Sequence, residues 1–133
     1  MNIDKYETNN YIQSLNSYKA LYLSPMVPTR NMGETKNFFI DVLKFEMVRN
    51  DEQYVILHKN NLTVHLLNAG KDIGEMEFYL EVDDVDAVWG LMKDEIKGLK
   101  VKEPFNQPYG MREIHIEVPA TNTLLFIGQP IHP

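Results

Sequence analysis

The stretch Glu77–Ile96, EFYLEVDDVDAVWGLMKDEI, decides the fold of this chain. Its first six residues alternate, with Phe78, Leu80 and Val82 on one side and Glu77, Tyr79 and Glu81 on the other. That is the period of a half-buried strand. Asp83 and Asp84 then offer N-caps, and Asp86 places negative charge in the first turn, where the helix dipole favours it. Val85, Val88, Trp89, Met92 and Ile96 fall at offsets 0, 3, 4, 7 and 11, one apolar stripe of a helix over 84–96. Trp89 on that stripe reads as core, and Gly98 as the terminator.

Downstream, Leu99–Lys102 reads as a short strand and Glu103–Gly110 as a loop bearing Pro and Gly. Glu113–Val118 and Thr123–Ile127 form a strand pair around Pro119–Asn122. The first half shows the same order. Ala20–Pro28 reads as a strand, and Asn31 with Glu34 makes a capping-box pattern. Phe38, Phe39, Val42 and Leu43 then give a helical stripe over about 32–43. Phe45–Arg49, Tyr54–His58 and Leu62–Leu67 follow as strands, the last two joined by the hairpin residues Lys59-Asn60-Asn61. The caps Asn31 and Asp84 lie 53 residues apart, the size of a supersecondary repeat.

The 133 residues suit one domain, or two small halves sharing one core. We read residues 1–19 as an N-terminal arm, and 20–133 as a single domain of two modules, about 20–67 and 76–128. Tyr11, Ile12, Leu15, Tyr18 and Leu21 allow a short amphipathic helix in the arm or a solvated strand of chain. With 44% hydrophobic and 24% charged residues the composition is globular, which excludes disorder and low complexity. The net charge of −6 lacks the footprint of a nucleic-acid binder. There is no cysteine, so disulfides, iron–sulfur clusters and thiol nucleophiles are excluded. The opening MNIDKYETNN has no apolar core of a signal peptide, and no apolar run approaches the ~20 residues of a membrane span. The expectation is a cytoplasmic protein with neither membrane nor nucleic-acid partner.

Three strings carry a family resemblance. SPMVPTRNMGETKNFFIDVLKFEMV (Ser24–Val48) resembles the opening of a module in the vicinal oxygen chelate superfamily of glyoxalases, bleomycin-resistance proteins and extradiol dioxygenases. Asn31, Phe38, Phe39, Asp41, Val42, Leu43 and Phe45 match its pattern, while Lys44 stands where that family usually has Gly. YLEVDDVDAVW (Tyr79–Trp89) and YGMREIHIEVPATNTLLFIGQPI (Tyr109–Ile131) resemble the opening and close of its second module. The run Val118-Pro119-Ala120-Thr121-Asn122 replaces the usual D-P-x-G-N. The likeness spans about residues 20–131. It implies an α+β fold of two βαβββ modules in one curved, cup-shaped sheet assembly, with ligand or metal on the concave face, and commonly a homodimer.

Metal-using members of that superfamily draw ligands from the first and last strand of each module. By the resemblance these positions fall on Ser24, near His65, on Glu77 and on Leu125. A divalent metal wants three or four converging N or O donors, and Ser24 and Leu125 supply poor ones or none. The cup candidates are therefore ligand-binding residues: His65, Glu77, Tyr79, Glu81, Arg112, Glu113 and His115. Each has a plainer reading as a solvated strand residue, and Glu113, His115 and Glu117 as an outward edge face. Arg112 suits an anionic group, or pairs with a surface acid. The chain has no phosphate loop, no G-x-S-x-G and no H-E-x-x-H.

Three functions compete. The first is a metal-free protein that sequesters a small organic molecule, similar to the bleomycin-resistance group, with the seven Met suiting an adaptable pocket. The alternative is a metal-dependent lyase, isomerase or dioxygenase holding Zn, Ni, Fe or Mn through His65, Glu77 and a further donor such as His115 or Glu113. The third is a dimerising regulatory or stress protein with a vestigial cup. Four candidate glutamates, Glu77, Glu81, Glu113 and Glu117, against Arg112 predict a cationic aromatic or polar ligand, as basic glycopeptide antibiotics are.

Overall fold

In the computed structural model, which describes residues 18–131, the repeated order of elements is present as two βαβββ modules. The first comprises β1 (Met26–Thr29), α1 (Met32–Asn37), β2 (Glu46–Asn50), β3 (Tyr54–Lys59) and β4 (Leu62–Asn68). The second comprises β5 (Met76–Glu81), α2 (Val85–Met92), β6 (Val101–Asn106), β7 (Met111–Glu117) and β8 (Thr123–Pro130). Each builds a four-stranded sheet, in the orders β1-β4-β3-β2 and β5-β8-β7-β6. The first and last strand of each module pair in parallel, and the remaining pairs are antiparallel. The architecture is α+β, with no closed barrel. The arm expected over 1–19 lies, through residue 17, outside the described residues, as does His132. No helix among the described residues is long and apolar enough to cross a membrane.

The duplication is clearest at the helix caps. Asn31 (φ −147, ψ 98) and Asp84 (φ −149, ψ 98) share one backbone conformation. Each side-chain oxygen accepts from the backbone N–H three residues on, Glu34 N and Ala87 N, both at 3.0 Å. Past Asn37, α1 widens into a π-helical turn over Phe38–Val42, where Leu43 N–H reaches Phe38 O at 3.3 Å. That turn brings Phe38, Phe39, Val42 and Leu43 into the core together. Lys44 then takes φ 63, a left-handed conformation that favours glycine. The backbone thus accounts for the glycine usual at this position.

One core serves both modules: Val55, Leu57, Val64 and Leu66 of the first sheet join Ile114, Ile116, Leu125 and Ile127 of the second. The modules are also tied by hydrogen bonds from Arg30, just after β1, and Thr35 of α1 to the β7–β8 turn. Arg30 N–H donates to Ala120 O at 2.9 Å, Thr35 Oγ1 to Pro119 O at 2.8 Å, and Arg30 Nη2 to Asn122 Oδ1 at 2.8 Å.

Three boundaries differ most from the sequence reading. The strand expected from Ala20 begins its ladder only at Met26. The second helix ends at Met92 rather than near Ile96, because Glu95 N–H bonds Met92 O and Leu99 N–H bonds Ile96 O in tight i→i+3 turns. Ile96 keeps its place in the core from within that turn. β6 runs on to Asn106, through the expected loop. Pro104 has no N–H to give the ladder, and the β6–β7 pairing absorbs it in a bulge between Lys102 and Phe105.

Candidate functional site

Helices and core cover one face of each sheet, and the other face is open. On the second sheet, Glu77, Tyr79 and Glu81 of β5 share the open face with Leu124, Phe126 and Gly128 of β8, their register partners. Glu113, His115 and Glu117 of β7 continue it, each opposite one of those β8 residues. Lys102 and Phe105 of β6 complete it, opposite His115 and Glu113. β7 is an inner strand, so the outward edge reading of Glu113, His115 and Glu117 does not apply.

Glu113 is the centre of this face, and only 3% exposed. Tyr109 Oη lies 2.9 and 2.8 Å from its two carboxylate oxygens, and Gln107 Nε2 donates to Oε1 at 3.1 Å. His115 Nε2 lies 2.8 Å from the same oxygen. An ionised carboxylate only accepts, so this bond requires the proton on Nε2. The imidazole stacks on Phe126 (centroids 4.3 Å apart, planes at 13°) and meets Phe105 edge-on at 4.9 Å. Burial raises the Glu113 pKa, but the hydrogen bonds from His115, Tyr109 and Gln107 outweigh it and hold the carboxyl below its ordinary range. The result is a fixed, ionised carboxylate set among aromatic rings.

Tyr79 forms the neighbouring wall. Gly128 makes room for it: a Cβ there would stand 2.8 Å from Tyr79 Cε2 and 3.3 Å from Glu113 Cγ. The Tyr79 hydroxyl donates to Glu81 Oε1 at 2.9 Å. Burial, followed by the Glu81 hydrogen bond and the nearby negative charges, pushes the phenol up to about 12. Burial and the Glu113 hydrogen bond likewise raise the Tyr109 pKa.

The remaining candidates lie elsewhere. Arg112 turns to the helix side of its sheet, where its Nε and Nη2 bind Asp86 at 2.9 and 2.8 Å and Nη1 binds Asn106 at 3.0 Å. Lys102 is a cation on the open face, its Nζ 3.8 Å from the Phe105 ring centroid. His65 belongs to the first sheet, flanked in register by Met26 and Ile56. Its Nδ1 is hydrogen-bonded to the Tyr54 hydroxyl, with the rings perpendicular at 5.5 Å.

Sequence reading missed Gln107, Phe105, Phe126 and Gly128, and assigned Leu125 to the open face. Leu125 is wholly buried on the core side, and Leu124 is the residue opposite Glu77. Met26 holds the position beside His65, two residues past Ser24. Ser24 Oγ donates to Thr63 O at 2.8 Å.

The divalent metal implied by some members of the superfamily does not fit these donors. The side chains beside His65 and Glu77 in register, Met26, Ile56 and Leu124, offer no hard donor. Among the described residues, no three His, Cys, Asp or Glu side chains group as ligands.

No family model and no curated protein matches the sequence. Solved structures do match. The bleomycin resistance determinant encoded on the transposon Tn5 superposes with a TM-score of 0.71 at 22% identity, over 84% of this chain and 98% of that one. The bleomycin-binding protein of Streptomyces verticillus, complexed with copper(II)-bleomycin, gives 0.68 at 17% identity, over 87% and 99%. Lactoylglutathione lyase from Agrobacterium tumefaciens gives 0.67 at 18% identity, over 84% and 94%. With its duplicated βαβββ modules, the chain has the fold of the vicinal oxygen chelate superfamily, which bleomycin-resistance proteins share with glyoxalases and dioxygenases.

Proposed function

We propose that this protein binds and sequesters a small organic cation on the open face of the second sheet, without a metal and without chemical turnover. The observation that carries the reading is the buried, ionised Glu113, held by Tyr109, Gln107 and His115 between aromatic side chains. A fixed carboxylate beside ring faces attracts a cation by charge and by the ring quadrupole, and little reorganisation is needed on binding. Glu77, Glu81 and Glu117 add negative charge to the same face, against Lys102 and a surface pair of Lys100 with Glu117 at 3.8 Å. The bleomycin-binding neighbours support this ligand class, and by analogy a role in antibiotic resistance. The reading includes a cytoplasmic homodimer, in which a second copy covers exposed edges such as β2, open along all five residues.

Competition between cationic and anionic aromatic probes, followed by fluorescence at low and moderate salt, tests the proposal. The cation should be preferred, weaken with salt, and lose at least about tenfold in affinity when Glu77→Gln and Glu113→Gln are combined. Preference for the anion, or cation binding untouched by the double substitution, overturns it. The likeness to a lactoylglutathione lyase favours one second reading, a metal-dependent lyase, isomerase or dioxygenase. Near-stoichiometric Zn, Ni, Fe or Mn in the purified protein would decide for that reading.

A further inference from the structure

The open face of the second sheet already carries a cation of its own. Lys102 and Phe105 stand three residues apart on β6, an odd spacing that a regular strand would place on opposite faces. The bulge between them, which contains Pro104, turns both to the open face, opposite His115 and Glu113. The Lys102 ammonium then lies 3.8 Å from the Phe105 ring centroid, well inside the ~6 Å reach of a cation–π contact. Carboxylates are at hand, because Glu77, Glu81, Glu113 and Glu117 share that face. Among the described residues Lys102 nevertheless forms no ion pair, whereas Lys100, two residues earlier, pairs with Glu117 at 3.8 Å. Phe105 is the register partner of Glu113, so a charge over its ring stands beside the strand position of the buried carboxylate.

We propose that the Phe105 ring is the seat of the ligand's cationic group, and that Lys102 is a tethered stand-in which a bound cation must displace. The inference rests on the small-cation reading above, and adds where the charge sits and what competes for it. Two ammonium-sized charges cannot share one ring face. Lys102 is exposed and its four-carbon stem is flexible, so its head is free to swing into water. Displacement costs the ligand the cation–π contact that Lys102 gives up, together with the repulsion that remains from the moved charge. The stand-in lowers the affinity of every cation by the same factor. A bare cation is therefore held weakly, and a ligand that also lays an aromatic or apolar body on Phe126 and the half-exposed Tyr79 binds.

The experiment titrates benzyltrimethylammonium, with benzenesulfonate as the anionic control, and follows binding by proton NMR. In the unaltered protein the Lys102 ε-methylene protons, shielded by the Phe105 ring, should return towards their ordinary position as the cation binds. Lys102→Met keeps the stem without the charge and should raise cation affinity at least about fivefold. Lys100→Met removes the same charge two residues away and should change it less than about twofold. In a Phe105→Leu background the two lysine substitutions should become equivalent. Circular dichroism checks that each variant is folded, and the ε-methylene shift reads the displacement even if Phe105→Leu is not. Equal effects of the two lysine substitutions beside an intact Phe105, or ε-methylene protons unmoved at saturation, overturn the displacement and leave cation binding standing. Preference for benzenesulfonate, or no binding of the cation, overturns the cation reading and this inference with it.

Discussion

Replacing Glu113 by Gln removes one buried charge and little else. The amide oxygen can keep the place of Oε1 before His115 Nε2 and Gln107 Nε2, while the amide nitrogen takes that of Oε2 and donates to Tyr109 Oη. What disappears is the charge assistance at three partners. A hydrogen bond to a charged group contributes about 1.5–3 kcal/mol against about 0.5–1.5 for a neutral one, or about 1 kcal/mol per partner. The Gln variant also escapes the cost of burying a charge, which leaves a net destabilisation of about 1–2 kcal/mol. For a chain of this size that lowers Tm by roughly 3–8 °C.

The pH dependence supplies the sharper check. The folded Glu113 carboxyl has a pKa below its ordinary 4.5, so its contribution is present above that value and is lost as pH falls through the folded pKa. Gln does not titrate. Thermal or urea unfolding followed by circular dichroism should therefore show the two proteins furthest apart near neutral pH. Below the ordinary 4.5 the gap should narrow, and it should close once the folded carboxyl is protonated. Equal stability at neutral pH, or a gap as wide in acid as at neutrality, refutes the claim that hydrogen bonds hold this carboxylate ionised.

Gly128→Ala drives a methyl group into the Tyr79 ring at 2.8 Å and should cost about 1–3 kcal/mol by overpacking, read as a lower urea midpoint. The Tyr79 phenol, pushed up to about 12, should titrate closer to the ordinary 10.0 in Glu81→Gln, measured by ultraviolet absorbance; part of the rise should remain because burial is its largest cause. Lys44→Gly relieves a left-handed backbone at φ 63 and should stabilise the fold by about 0.5–1 kcal/mol, seen as a raised Tm.

The fold was legible where local chemistry and global position agree. Asn31 and Asp84 cap because their side chains reach a free N–H three residues on, and that requirement is written in single residues. β5 alternates cleanly between Glu77, Tyr79, Glu81 and Phe78, Leu80, so its two faces were assigned as the structure has them. β8 was illegible for the opposite reason. In TLLFI both faces are apolar, since Leu125 and Ile127 enter the core while Leu124 and Phe126 form the floor of the open face. Alternation carries no signal there, and the register slipped by one. Arg112 needed information of another kind, because its partner Asp86 lies 26 residues away on α2 and meets it only through packing.

The same contrast explains why the two open faces differ although the modules share a topology. The caps, the core positions and the parallel pairing of first and last strands are repeated because the fold demands them. The outward positions carry no such demand. In the first module they hold Met26, Ile56 and a His65 bound to Tyr54; in the second they hold glutamates and rings around Glu113. A duplicated scaffold thus leaves its chemistry free to diverge at every second residue of a strand. The residue types at those positions can be read from sequence by counting. Their assembly into a buried carboxylate with three donors depends on β6, β7 and the Gln107–Gly110 turn arriving together, and that turn is set by Gly110 at φ 88 and by Gln107 N–H bonding Met111 O at 2.7 Å.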